Sequence, residues 1–425
     1  NYPRERKTLS LEEALHAYHN MKTVASSTSP GFPMNNPNFE NLKKAYYDAF
    51  NSGNLIEADE VRQRIAILVD DAIDKYKKGI RPFFVYVDFA KDEVRKRGKD
   101  TRNIAGAPFI LLILFRMYFG AFFDAFVEYN LEIGSAIGVN PYSSDWDRIG
   151  KLLSKFGTMP NKEEPQVLAG DHKDYDTREQ PFIMLEVRNI INNWYGINDP
   201  DNIIRSRLWA EITNSRHHYM NYLIEWFSAM PPGNPLTAMI NTMYNHINVR
   251  CCWIYSELEI NLFNDYVYVI VLGDDIAMSV HPDFLPVFNE ITLPAYMDEV
   301  GMIYTTETKD EALYESRNLS EIEFLKRRWI YCKRYGRFIA PLRMDSIASM
   351  LNWTKRGSNS DQISVDNISI ALREFSLHGK ETYRDWFQVL NDIKNEKYPN
   401  YSYTNPPSSD FNEELRTVLS LDFIW

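Results

Sequence analysis

Cysteine is scarce in this chain. The three present, Cys251, Cys252 and Cys332, offer neither a CxxC pair nor Cys/His spacing, which excludes zinc-finger chemistry and a disulfide framework and implies a reducing setting. Positive charge is also in short supply. Against 58 Asp and Glu stand 47 Lys and Arg, a formal net charge of −11, which rules out a uniformly basic nucleic-acid binder and leaves only local basic patches for such contacts. No long unbroken apolar run occurs. The stretch 104–126 is interrupted by Pro108, Arg116, Asp124 and two glycines, and its unbroken part, 108–115, is too short to span a bilayer, so a buried helix is expected. The chain opens at Asn1 without an initiator Met or a readable leader, so a processed or truncated product is expected. It shows no internal repeat.

What is present is enough for a large core: 425 residues at 44% hydrophobic content, more than one core usually supports, predict two or three subdomains. The first part reads as helical, with a short helix near 9–19, a Ser/Thr/Gly/Pro loop at 24–33 and a charged amphipathic region over 39–78. "RPFFVYVDFAKDEVRK" reads as a strand entering a charged hairpin or loop. From Val167 onward, short apolar strands (166–170, 265–273, 279–281) interleave with helices (179–194, 237–249), which predicts an α/β or α+β sheet packed on one side by helices. Further helical patterns lie at 368–375 and 383–393, before a Pro/Ser/Asn-rich tail at 405–410.

The segment "YVYVIVLGDDIAMSV" has the pattern of strand, tight turn and strand, with Gly273-Asp274-Asp275 at the tip. Taken alone, Gly-Asp-Asp fits an ordinary turn. A second acid site is built the same way: "PQVLAGDHKDYD" carries an apolar strand to Asp171, with Asp176 five residues on, where a helix begins. Nucleotidyl transfer needs hard oxygen ligands from separate strands, so that two Mg²⁺ ions about 3.5–4 Å apart can stabilise the attacking and leaving oxygens. Asp171 and Asp274 fit that need. A third element, "PPGNPLTAMINTMYNH", is a Gly/Asn/Pro loop opening a helix with Thr237 and Asn241 on one face; it fits either a capped core helix or a loop that follows a template backbone.

The order of these elements, Asp-x4-Asp, then Gly-x3-Thr-x3-Asn, then Gly-Asp-Asp, resembles motifs A, B and C of the RNA-dependent RNA polymerases of picorna-like positive-strand RNA viruses. "YTTETKD" is similar to motif D, with its lysine at Lys309, and "FLKRRW" to motif E. "KDEVRKRGKDTR" (91–102) is similar to motif F, and "TSPGFP" (28–33) to motif G. An iflavirus-like or dicistrovirus-like origin is the expectation. The resemblance implies an α+β right hand of fingers, palm and thumb, with an antiparallel palm sheet flanked by helices. The implied boundaries are 1–128 fingers, 129–211 palm, 212–231 a fingers insertion, 232–344 the rest of the palm, and 345–425 thumb.

It also implies roles. Asp171 and Asp274 would hold two catalytic metals, Mg²⁺ with Mn²⁺ as the alternative, and Asp275 would support the second. Asp176 and Asn241, with Thr237 nearby, would recognise the nucleotide's 2′-OH, and Lys309 would protonate the departing pyrophosphate. Within 91–102, six Lys/Arg face three Asp/Glu, and Lys91, Arg95, Lys99 and Arg102 would bind the triphosphate. Ser29, Pro30 and Gly31 in motif G, Gly233 in the motif B loop, and Lys326 and Arg327 in motif E would contact RNA. From 324 to 343 the chain carries seven Lys/Arg and no acid, interleaved with Trp329, Tyr331, Tyr335 and Phe338, a pattern suited to gripping a primer backbone.

Two positions depart from the family pattern. Pro232 stands where a serine is common, which removes a hydrogen bond to Asp176, and Leu272 replaces a tyrosine that is not a metal ligand. Motif G also lies nearer the start than in related enzymes, so a missing N-terminal fingers segment is expected. Rival readings are a reverse transcriptase, which would not need the Asp176 and Asn241 pair, and a catalytically silent RNA-binding replication scaffold. The implied partners are RNA template and primer, nucleoside triphosphates, a genome-linked protein primer and other viral replication proteins, at replication complexes in the host cytoplasm, with no intrinsic membrane span.

Overall fold

The computed structural model describes residues 5–95, 97–157, 166–307, 314–354, 357 and 359–420. Its first part is helical, as expected. Helix Leu11–Leu15 opens on a Ser10/Glu13 capping box, and the amphipathic region divides into Leu42–Asn51 and Leu55–Lys77 because Asn54 caps the second helix, accepting from the Glu57 N–H. Strands β1 (Tyr86–Ala90) and β2 (Asn103–Gly106) then pair antiparallel and form the two stems of the 91–102 arm.

Helix Phe109–Glu128 alone among the described helices is long and apolar enough to cross a membrane by length and composition. It is apolar all round and lies in the main core, where Leu111, Ile113, Leu114, Phe115 and Phe119 have no exposed surface. Buried Asp124 is satisfied there by the backbone and side-chain N–H groups of Asn20, at 3.0 and 2.9 Å.

Strand β3 (Val167–Lys173) continues past the expected end at 170, so Asp171 lies within the ladder. Next come β4 (Arg216–Tyr219) and β5 (Tyr222–Glu225), a hairpin the sequence reading missed because its turn, Met220-Asn221, lacks Gly and Pro; β4 adds parallel to β1, giving sheet order β2-β1-β4-β5. Helix Thr237–Tyr255 and strands β6 (Val267–Leu272), β7 (Asp275–Val280) and β8 (Ile303–Thr306) complete the centre. The central sheet, β6-β7-β3-β8, is antiparallel throughout.

Helices on one side of this sheet were expected; both sides are covered. The period-two alternation of β3 sends Leu168 into the main core, whereas Val167 and Ala169 pack with Trp146, Ile149 and Leu153 of helix Ser144–Leu153. A short hairpin follows, β9 (Ile330–Cys332) and β10 (Arg337–Ile339). Helices Met344–Asn352, Ser360–Ser376 and Lys380–Lys397 then gather a separate small core around Ile347, Leu372, Phe375 and Tyr383.

Candidate active site

The β6–β7 connection is a two-residue hairpin, with Leu272 paired to Asp275 and only Gly273 and Asp274 in the loop. Gly273 takes φ +66°, the conformation a type II′ turn reserves for glycine at its first loop position. The turn is held from below by two side chains of helix Thr237–Tyr255. Thr242 Oγ1 accepts from the Gly273 N–H at 3.0 Å, and Asn245 Nδ2 donates to the carbonyls of Gly273 and Asp274 at 3.3 and 3.4 Å. On the neighbouring strand, Gly170 pairs with Ile276, so Asp171 stands one step further on, beside the turn. The sheet register thus brings Asp171, Asp274 and Asp275 to one edge.

Asp274 meets solvent at the hairpin tip while protein crowds its other side. Burial pushes its carboxyl above the usual range; the turn's backbone N–H groups oppose this, the charge of Asp171 adds to it, and the charge of Arg102 opposes it. The arm therefore reaches the electrostatic field of the acidic turn. Beside this edge lies a polar cavity of about 210 Å³ lined by Asp171, Asp275, Glu307, Glu323, Lys326 and Arg343 among others.

Asp176 follows on the short helix after β3, and Asn241 Nδ2 donates to its Oδ1 at 2.7 Å. Burial raises the Asp176 carboxyl, the Asn241 hydrogen bond lowers it, and nearby Asp274 raises it again. Asn241 Oδ1 is buried with no protein partner, an acceptor pointing at nothing among the described residues. A hydroxyl that both donates and accepts would satisfy this pair.

In the arm, Lys91, Arg95 and Arg102 converge on one carboxylate, Glu93, at 3.4, 3.0 and 3.5 Å. Their charge pulls the Glu93 carboxyl below its usual range against a desolvation penalty. Lys99 is exposed. The cationic cluster is thus gathered around an internal anion.

Carboxylates on β3 and the β6–β7 turn, the bonded Asp176 and Asn241 pair and a cationic arm meet in one place, and the comparisons agree. The sequence profile of the viral RNA-dependent RNA polymerases matches residues 3–394. The chain belongs to the viral RNA-dependent RNA polymerase family. It is similar to the replicase polyproteins of cricket paralysis virus (31% identical over 414 residues, 91% of this chain) and Drosophila C virus (30% over 444 residues, 98% of this chain). It spans 23% and 24% of their lengths. Among solved structures, a Sicinivirus 3Dpol RNA-dependent RNA polymerase matches with a TM-score of 0.73 over 99% of this chain and 82% of that one, at 16% identity, which shows the right-hand fold. The picorna-like resemblance drawn from the motifs is borne out.

Polymerases of this family use divalent metal ions. No three Asp, Glu, His or Cys side chains already converge at ligand distance among the described residues. The donor set nevertheless fits: hard carboxylates on a strand and on the neighbouring hairpin turn, with Asp171 and Asp274 repelling each other, suit a cation of the Mg²⁺ class that takes one or two protein carboxylates and completes its shell with water and phosphate.

Several residues expected at the polymerase's substrate and RNA surfaces are placed otherwise. Arg327 forks onto Glu374, at 2.7 and 2.9 Å, and donates to the Ala340 carbonyl, so its guanidinium ties motif E to helix Ser360–Ser376 and is not offered to RNA. Pro30 and Gly31 are buried, and only Ser29 of that trio is exposed. Thr237 Oγ1 donates into its own loop, 2.9 Å from the Asn234 carbonyl. Trp329 stacks on Trp146 within the core, at 4.5 Å and 14°. Gly233 and Lys326 are exposed, and Lys309 lies outside the described residues.

Sequence reasoning missed the supports. Lys43 is buried and donates to the Thr28 carbonyl, Thr28 Oγ1 and the Ser29 carbonyl, which fixes the motif G loop, and burial lowers its amine. Its position on the same helical face as Tyr47 was the available signal. For Thr242 and Asn245, the signal was polar residues on the buried side of an apolar helix.

Proposed function

We propose that this chain performs template-directed RNA synthesis, adding ribonucleoside monophosphates to an RNA 3′ end with release of pyrophosphate, for viral genome replication. The observation that carries the reading is Asp171 on β3 beside Asp274 in the β6–β7 turn, next to the bonded Asp176 and Asn241 pair. Asp171 and Asp274, aided by Asp275, would hold two Mg²⁺ ions, with Mn²⁺ as the alternative; such ions neutralise phosphate charge and lower the pKa of an attacking hydroxyl. Lys91, Arg95, Lys99 and Arg102 receive the triphosphate, which displaces Glu93 from its cations. Asn241 Oδ1 and Asp176 bind the ribose 2′-OH. Lys309 supplies the proton to pyrophosphate. Ser29, Gly233 and Lys326 face the RNA strands.

The division into fingers (1–128 and 212–231), palm (129–211 and 232–344) and thumb (345–425) belongs to the same reading. So do the partners: template and primer RNA, a genome-linked protein primer and other replication proteins, at cytoplasmic replication complexes. The test is extension of a short RNA primer on an RNA template with Mg²⁺ and nucleoside triphosphates, beside Asp274→Asn. Loss of at least about a thousandfold in rate with RNA binding retained is expected, because phosphoryl transfer rests on positioning and charge neutralisation. Undiminished synthesis by the variant would remove Asp274 from the metal site.

A further inference from the structure

Beneath the triphosphate arm lies a buried chain of three polar side chains. Asp88 Oδ1 is 2.7 Å from His217 Nδ1, and His217 Nε2 is 2.8 Å from Ser215 Oγ. The imidazole is clasped between Trp226, at 3.8 Å and 13°, and Tyr86, at 5.3 Å and 16°. Ser215 and His217 have no exposed surface, and the Asp88 side chain is 4% exposed. The same order of groups activates a nucleophilic serine in hydrolases. Here both faces of the ring are covered and no substrate carbonyl can reach Ser215, so the chain serves to hold parts together. Asp88 and Ser215 engage the two ring nitrogens of His217, which fixes its ring rotation.

The parts it holds are the arm's stem and the motif B loop. Asp88 lies on β1, whose last pair is Ala90 with Asn103, and the Lys91 N–H donates to the Arg102 carbonyl at 2.8 Å. β1 meets β4 through only two parallel pairs, so the Asp88 to His217 bond reinforces a short ladder. From the other side, Asn234 Nδ2 donates to the Tyr86 hydroxyl at 2.9 Å, and the Ala105 N–H donates to the Pro232 carbonyl at 2.6 Å. Gly233 permits that approach: at φ +123°, a Cβ there would lie 2.5 Å from the Ala105 oxygen.

We propose that Asp88, His217 and Ser215 are positioning residues that, through Tyr86 and Asn234, keep the stem of the triphosphate arm in register with the motif B loop. The arm's cations and the sugar-sensing Asn241 then meet the same bound nucleotide. The proposal rests on the polymerase reading of the arm.

The test uses Asp88→Asn and Ser215→Ala in the full chain, with single-nucleotide incorporation on a preformed primer–template complex and active sites counted by titration. Loosening a buried hydrogen bond to a charged group is expected to raise the nucleotide KM about tenfold, with kcat per active site within about twofold and RNA affinity unchanged. Amide exchange should quicken in peptides covering 86–106 and 230–238 and stay unchanged in 363–397. A loss of active sites with unchanged KM, or exchange that quickens evenly across the chain, would show a general stabiliser and overturn the proposal. Should the unsubstituted chain extend no RNA, the polymerase reading fails on its own, and the exchange comparison still decides whether the arm and the loop are held together here.

Discussion

Removing the Asn241 amide should weaken the preference for ribonucleotides, and the structure sets the scale. The group lost is a donor to a carboxylate at 2.7 Å together with a buried acceptor, Oδ1, that has no protein partner. A hydrogen bond to a charged group contributes about 1.5–3 kcal/mol. At about 1.4 kcal/mol per tenfold, Asn241→Ala should narrow the ratio of kcat/KM for a ribonucleotide over its deoxynucleotide by about 10- to 150-fold. The fall should come mostly from slower ribonucleotide use, since a deoxynucleotide never engaged the pair. A second consequence follows from Asp176, whose carboxyl already lies above its usual range through burial: without the Asn241 donor it rises further, so the ribonucleotide rate should fall earlier as pH is lowered. The assay is single-turnover incorporation of matched ribo- and deoxynucleotides by both proteins over a pH series. An unchanged ratio would refute the sugar-sensing assignment.

Glu93→Gln should lower the nucleotide KM several-fold at low salt, because the triphosphate no longer has to displace a carboxylate from Lys91, Arg95 and Arg102; the gain should fade as salt screens the arm, and a raised KM would show that Glu93 shapes the arm. Arg317 forks onto Glu307 at 2.7 and 2.8 Å and also donates to buried Glu290 at 3.0 Å; Arg317→Met strands both carboxylates and should cost about 3–5 kcal/mol, read as a lowered Tm. Burial holds the Glu290 carboxyl up at about 7 despite Arg317, whose charge Glu307 already engages on two atoms. The folded chain therefore keeps a proton there that the unfolded chain releases near 4.5, so this group's contribution is present below that pH and lost as pH rises through about 7. Glu290→Gln should flatten the stability profile between those values, and an identical slope in chemical denaturation would remove Glu290 as its source.

The geometry of the candidate site was legible because it sits at places where sequence pattern and strand register coincide. A strand ending in Gly-Asp-Asp can hardly do other than turn there, and a strand-borne Asp171 needs only antiparallel register to arrive beside it. Asp176 and Asn241 were readable as a pair only through the order of motifs, since nothing in their own spacing says that 65 residues of chain close to a 2.7 Å contact. What escaped the sequence was charge pairing over long distances. Arg327 looked available for RNA because no acid lies between 324 and 343, yet its partner, Glu374, is 47 residues away. The β4–β5 hairpin escaped for a local reason: its turn uses Met220 at φ +54° where glycine would have been the signal.

The acidic balance of the chain follows from the same pairing. An enzyme that holds RNA was expected to depend on concentrated basic patches, but several of those cations are already spoken for: Arg327 by Glu374, Arg328 by Glu323, Arg343 by Asp345, and the arm by Glu93. Arg327 and Arg328, whose partners are buried, are not exchanged for phosphate without leaving a carboxylate stranded. The arm differs in that three cations, Lys91, Arg95 and Arg102, share the single anion Glu93. In the proposed function, a triphosphate takes that anion's place with more charge than the carboxylate it displaces. The net charge of −11 is therefore compatible with binding polyanions, because the charge that matters is the part of the basic set whose internal partners are weak enough to be exchanged.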